Sequence, residues 1–222
     1  QLDLDSTEII DSKSEKERKN REKYWTIFHD KRKRKGLTKF EAIKFMRERN
    51  YYGSAMVDAG KADAMISGIT RNYPSTIKPA LQVIGKDDGV DKIAGMYVII
   101  SKNGPYFFAD TTVNINPSAQ DIVDITLLTA KIVERFRVKP HIALLSYSNF
   151  GSSDGEDAVK MRKAVEILNK NHPEIIVDGE IQANFAVNTE LMQEVYPFSH
   201  LAGKRTNTFI FPNLSAGNIA YK

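Results

Sequence analysis

Three stretches of this chain carry the residue types from which a phosphate site is built. AMISGITRN runs into Ser67, Gly68, Thr70, Arg71 and Asn72. HIALLSYSNFGSS runs into Ser146, Tyr147, Ser148, Asn149, Gly151, Ser152 and Ser153. FIFPNLSAGN runs into Asn213, Ser215, Ala216, Gly217 and Asn218. Each is a short apolar run that ends in hydroxyls, amides and glycine just ahead of a helix. Glycine lets a ligand approach the backbone, and free N–H groups at a helix start attract anions. Any one stretch reads equally well as a turn, because Ser, Asn and Gly also make turns and caps. Three of them in one pattern favour a phosphate or pyrophosphate ligand.

Other chemistry has weaker support. There is no Gly-x4-Gly-Lys-Ser/Thr and no Gly-x-Gly-x-x-Gly, which disfavours nucleotide folds with those fingerprints. His29, His141, His172 and His200 lack metal spacing and read as surface or packing residues. Asp110, Asp178 and Glu180 are acids at strand ends. Each could serve as a base, but capping a loop is the preferred reading.

The elements that must position these residues alternate. Residues 13–35 read as a helix with Tyr24, Ile27 and Phe28 on its apolar face, ended by Gly36. Thr38 and Glu41 form a capping box for a helix over FEAIKFMRERN. SAMVDAG is helical, AMISGI is a strand, and STIKPALQVIG is a helix. MYVIIS and PYFFADTTV flank Asn103-Gly104, a strong hairpin signal. A long helix follows Pro117 to Phe136, with Ile122, Ile125, Leu128, Ile132 and Val133 at helical spacing. HIALLSYS, EIIVDGEI and TNTFIFPNL are strands. DAVKMRKAVEILNKN, capped by Asp154 or Asp157, and ELMQEVYP are helices. The pattern predicts an α/β fold, with open and mostly parallel sheets flanked by helices. The expected division is a basic helical segment over 1–49, the first α/β part over 50–117, and a second part over 118–222.

Composition sets further bounds. The chain has 222 residues, 41% hydrophobic and 27% charged, as in an ordinary globular protein. It has no cysteine, so disulfides and thiolate chemistry are excluded. It shows no apolar run long enough to span a membrane and no signal peptide. These features fit a cytoplasmic protein. The chain starts without Met and stops at AGNIAYK, so it reads as a piece of something longer. Its net charge of +4 is concentrated at the front, where residues 1–50 hold 15 Lys and Arg against 10 Asp and Glu. Lys31 to Lys35 reads as a solvated helix end rather than a nucleic-acid contact, because cations suit a helix C-terminus.

Five blocks in order are similar to the phosphate acetyltransferase/butyryltransferase family: GKADAMISGITRNYPSTIKPALQVIG, FFADTTVNINPSAQDIVDIT, IALLSYSNFGSS, VDGEIQANFAV and NTFIFPNLSAGNIAYK. The resemblance covers about residues 50–222. It implies a two-domain α/β architecture, a cleft for coenzyme A and acetyl phosphate, and a dimer. The front segment KYWTIFHDKRKRKGLT and the SGITRNY loop resemble the version of this domain at the C-terminus of bacterial NADP-dependent malic enzymes. Stand-alone transacetylases carry His or Asn followed by hydroxyls at the position of Thr70-Arg71-Asn72-Tyr73, and Arg at the position of Lys78. Lysine cannot reproduce a bidentate arginine grip. The family's catalytic Ser-Arg pair would lie beyond Lys222.

The resemblance thus implies a non-catalytic, regulatory domain that takes acetyl-CoA as an effector, with catalytic phosphate acetyltransferase as the alternative. The implied contacts are Ser67, Thr70, Arg71 and Lys78, then Ser146, Tyr147, Ser148, Asn149 and Ser152, then Asn207, Asn213, Ser215, Ala216 and Gly217. It also implies a homodimer through this domain, a larger homo-oligomer in the full-length protein, and a malic enzyme catalytic domain holding NADP and a divalent metal.

Overall fold

The computed structural model describes residues 7–86, 90 and 92–222. They fall into two compact units, Gln1–Asp88 and Gly89–Lys222. The division therefore lies ahead of the expected turn at Pro117. The reason is pairing: the hairpin before Pro117 joins the sheet of the second unit through a strand about a hundred residues later. The segment 1–49 is likewise not separate, because its helices share a core with residues 50–83.

The described part of the first unit is helical: α1 Arg18–Arg32, α2 Lys39–Phe45, α3 Arg49–Asp58 and α4 Tyr73–Val83, with a 3-10 turn over Lys33–Lys35. Tyr24 and Phe28 of α1 meet Ala42, Met46, Tyr51, Tyr52, Ala55 and Val83 in one core. Phe45 stacks on Tyr51 with ring centroids 4.4 Å apart. The Tyr52 hydroxyl donates to the buried Glu17 carboxylate. Asn20 also donates to that carboxylate, and the two bonds hold it below its usual range. The Thr38–Glu41 capping box is present. The helix it starts is shorter than expected, ending at Phe45 and restarting at Arg49. In the basic run, Lys31 pairs with Asp58 at 2.6 Å and Lys33 with Asp30 at 2.9 Å. AMISGI forms no strand. It has no neighbour to pair with in the described part of this unit, and the chain turns sharply at Gly68 and Ile69.

The second unit is α/β. Its described residues form five strands, β1 Met96–Ser101, β2 Gly104–Ala109, β3 His141–Leu145, β4 Ile176–Ile181 and β5 Thr208–Ile210, in spatial order β1-β2-β5-β3-β4. β1 and β2 are antiparallel, and every other pairing is parallel. The helices are α5 Ala119–Arg135, α6 Glu156–Asn171, α7 Ala183–Val187, α8 Thr189–Val195 and α9 Leu214–Ala220. β3 shows why its sequence is a continuous apolar run. Ile142 and Leu144 face Ile122, Ile125, Met161 and Leu168 from α5 and α6. Ala143 and Leu145 face Ala186, Met192 and Leu201 on the other side. A strand covered on both faces needs no polar alternation. Ser118 and Asp121 form a capping box at the start of α5. α6 begins at Glu156 with Gly155 at its cap, so neither Asp154 nor Asp157 caps it.

The loop after β2 is organised by one carboxylate. Asp110 is 2% exposed. Its Oδ1 accepts from the N–H groups of Gly95, Thr112 and Val113, and its Oδ2 from the N–H and side-chain amide of Asn114. The loop-capping role expected for Asp110 is the one it fills. Replacing Asp110 with Ala strands these donors and should cost about 3 kcal/mol, since each unsatisfied buried group costs about 1–3 kcal/mol. Urea denaturation of the variant measures the loss, and an unchanged midpoint would contradict this role.

Candidate functional site

β2, β5 and β3 run parallel, so their carboxyl ends open on one side of the sheet. Ligands of open α/β sheets bind there. A cleft of ≈ 480 Å³ lies at that edge, lined by Ile115, Asn116, Tyr147, Glu156, Asp157, Asn213 and Ser215. That volume is within the range of small-molecule sites. Its floor is cross-braced. Lys160 Nζ reaches Asp157 at 2.6 Å and Asn116 at 3.0 Å. The Asn213 amide donates to the other Asp157 oxygen at 3.0 Å. Asn213 Oδ1 accepts from the Ala216 N–H and so caps α9. Asp157 and Lys160 were not among the expected site residues. Their i,i+3 spacing on α6 is the signal that could have found them.

The SYSNFGSS loop turns most of its polar groups inward. Ser148 is 1% exposed and donates to Glu180 Oε1 at 3.0 Å. The Gly151 N–H donates to the same oxygen at 2.8 Å. Ser152 bonds Ser148 and accepts from the Asn149 N–H. Ser146 accepts from the Ser148 N–H. Asn149 accepts from the Gln182 N–H at 2.8 Å. Glu180 itself is fully buried and pairs with Arg162, Nε to Oε2 at 3.1 Å and Nη2 to Oε1 at 3.2 Å. Burial pushes its carboxyl up, but Arg162, the Gly151 N–H and the Ser148 hydroxyl outweigh burial and hold it below the usual range. Asp178 also serves structure, accepting from Ser199 Oγ and the His200 N–H at 2.8 Å each. Tyr147 instead faces out: it is 60% exposed, lines the cleft, and its hydroxyl bonds Ser153 at 3.2 Å.

The expected residues thus separate into groups. Tyr147, Asn213 and Ser215 meet at the cleft. Ser146, Ser148, Asn149 and Ser152 build the loop behind it. Asn207 lies at the opposite end of the sheet, where it accepts from the His141 N–H and donates to the Lys139 carbonyl. It is a strand-pairing clamp rather than part of the cleft. Ala216 is half-buried and packs against the core, and Gly217 is a contact point between elements. A Cβ on Gly217 would stand 2.3 Å from the Asp110 carbonyl oxygen. In the first unit, Ser67 donates to Asn50 at 3.0 Å, and Thr70 accepts from Arg49 at 2.6 Å. Arg71 pairs with Glu48 at 2.8 Å, and Lys78 is exposed on α4.

Comparison with known proteins decides the lineage. The family model described as Phosphate acetyl/butaryl transferase matches residues 1–222. The chain belongs to this family. Its relatives divide between two kinds of named protein. An NADP-dependent malic enzyme of Haemophilus influenzae is 36% identical over 90% of this chain, which spans 26% of that protein. A phosphate acetyltransferase of Bacillus subtilis is 36% identical over 88% of this chain, which spans 60% of that protein. A solved phosphotransacetylase from Staphylococcus aureus, named EutD, superposes with a TM-score of 0.83 at 32% identity, covering 99% of this chain and 66% of the other. The chain is a phosphotransacetylase-like domain. Among its described residues no helix is long and apolar enough to cross a membrane, and no group of three His, Asp or Glu could hold a metal.

The Glu180–Arg162 pair makes stability pH-dependent with a definite sign. The folded-state pKa lies below the ordinary glutamate value of 4.5. Its contribution is therefore complete above about pH 4.5 and is lost as pH falls through the lower folded value. Glu180→Gln should flatten this acid limb. At pH 7 it should cost about 2 kcal/mol, less than a fully buried pair because Arg162 keeps some solvent. Thermal melts from pH 7 to pH 3 test both, and parallel curves for the two proteins would refute the assignment.

Proposed function

We propose that this phosphotransacetylase-like domain binds acetyl-CoA as an effector and regulates a malic enzyme of which it forms part. The observation that carries the reading is the commitment of Glu180. The loop hydroxyls of Ser148 and Ser152 are bonded around a carboxylate that Arg162 holds ionised. A carboxylate held below its usual pKa is a poor base, so these serines are not activated as nucleophiles. The loop is a rigid wall that presents Tyr147 to a ligand.

On this reading NADP and a divalent metal belong to the catalytic part of the polypeptide, where malate is oxidised and decarboxylated to pyruvate. The domain is then cytoplasmic and pairs with a second copy in a homodimer, within a larger homo-oligomer at full length. Regulation requires acetyl-CoA to bind one state of the enzyme better than another, and the coupling is reciprocal. The second reading is a phosphate acetyltransferase. It is favoured by the equal identity to the Bacillus subtilis enzyme and by the Staphylococcus aureus fold match.

Titration calorimetry of the chain with acetyl-CoA should give saturable binding. Tyr147→Ala should weaken it about tenfold through lost stacking on the exposed ring. The variant should not shift the melting temperature by much, because Tyr147 is exposed. Unchanged affinity would sink the proposed contact. In the full-length protein, acetyl-CoA should alter malate oxidation; acetyl transfer to phosphate instead would establish the second reading.

A further inference from the structure

The outward side of α1 and α2 has an arrangement that the reading above does not use. A groove of ≈ 630 Å³ lies between the two helices, with Trp25 of α1 and Ile43 of α2 as its apolar walls. Ile43 is 40% exposed, and Phe40, one turn earlier on α2, is 76% exposed. Residues three apart on a helix are surface neighbours, so the apolar strip continues from the groove onto Phe40. The other side of α2 supplies Ala42 and Phe45 to the core, to which neither Phe40 nor Ile43 belongs. One end of the groove is pinned. Arg21 donates to the carbonyls of Ser12 and Ser14, and the Ser12 hydroxyl donates to the Arg47 carbonyl at 3.1 Å.

The rim of this groove is cationic. Arg18, Arg21, Lys39 and Arg47 line it against Glu15 and Glu22. Both glutamates are already paired with Arg18, at 3.3 and 3.2 Å. Lys39 lies over the Trp25 ring, 5.2 Å from its centroid, and neither Lys39 nor Arg47 makes an ion pair among the described residues. An apolar slot with a tryptophan wall and a polar rim has the composition of a protein-recognition patch, where Trp and Arg are the usual anchors. The two unneutralised cations select an acidic partner. Glu15 and Glu22 interrupt the rim, which disfavours the continuous phosphate track of a nucleic acid.

We infer that this groove docks an acidic peptide segment of a partner protein. One apolar side chain of the segment enters between Trp25 and Ile43, and carboxylates on either side of it meet Lys39 and Arg47. The anchor covers apolar surface of Ile43 and Phe40 that otherwise stays in water. The carboxylates give Lys39 and Arg47 the charge-assisted partners they lack. The groove lies within the first unit, and its occupation does not depend on coenzyme A binding.

Trp25 is the only tryptophan of the chain, so its emission reports on this groove alone. The test titrates the whole chain with a short peptide of alternating aspartate and leucine, its ends acetylated and amidated, and follows Trp25 fluorescence with calorimetry in parallel. Saturable binding is expected, weakened when asparagine replaces aspartate in the peptide or alanine replaces leucine. On the protein side, the double variant Lys39→Gln with Arg47→Gln should bind about tenfold more weakly, about threefold for each exposed charge pair lost. Ile43→Ser, on the outer face of α2 where the core is not at stake, should also weaken binding about tenfold through lost apolar contact. The proposal is overturned by absent saturation in both measurements, by equal binding of the asparagine peptide, or by unchanged affinity in both protein variants. Tighter binding of a single-stranded oligonucleotide than of the acidic peptide would overturn it in favour of a nucleic-acid groove. Trp25 emission that changes on dilution of the chain alone, and no longer does so in Ile43→Ser, would overturn it in favour of a second copy. Acetyl-CoA calorimetry is read separately, so failure of the effector reading leaves this outcome intact.

Discussion

Glu180 stands at the end of β4 with its side chain fully buried and several donors aimed at it: a guanidinium, a hydroxyl and a backbone N–H. A bare carboxylate at that depth would be expensive, and its donors make it affordable. They come from two places in the chain. Arg162 is on α6, while Ser148 and Gly151 are on the loop after β3. Pairing therefore ties three elements together at the carboxyl edge of the sheet. Tyr147 is presented to the cleft because its neighbours on both sides are fixed to β4 or to one another.

The same edge is braced a second time. Asp157 links Lys160 on its own helix to Asn213 ahead of α9. Asp110 folds the loop after β2, and α9 lies against the Asp110 backbone through Gly217. Three acids, each with its donors assigned, hold three loops that ordinary turn chemistry would leave mobile. The cleft is thus formed by rigid loops on a parallel sheet. Rigidity of this kind favours a binding surface, because little conformational freedom remains to be lost when a ligand arrives.

Much of this was legible in the sequence, and the reasons are local. The capping boxes at Thr38 and Ser118 announce themselves by residue type at fixed spacing. The Asn103-Gly104 signal marks the hairpin, although Gly104 itself pairs with Ser101 and the tight turn is Lys102-Asn103. The apolar run of β3 reads as a buried strand because it is covered on both faces. What failed depended on distant partners. AMISGI has strand composition but no strand beside it. Asn207 has the chemistry of a ligand contact, yet its partners His141 and Lys139 place it at the wrong end of the sheet. The serines after β3 were noticed for their hydroxyls. That these hydroxyls face a carboxylate from another strand is set by sheet order, which residue type does not reveal.

The sheet order carries one more consequence. β5, the last of the described strands, occupies the middle of the sheet between β2 and β3. During synthesis the hairpin and the β3–β4 pair are each complete long before residue 208 emerges. Until then, β2 and β3 present unpaired inner edges, and such edges are templates for wrong partners. Closing the sheet needs contacts of large sequence separation, which form slowly. The short segment Thr208–Ile210 is therefore the keystone of assembly: the two halves of the sheet keep adhesive inner edges until it slots between them.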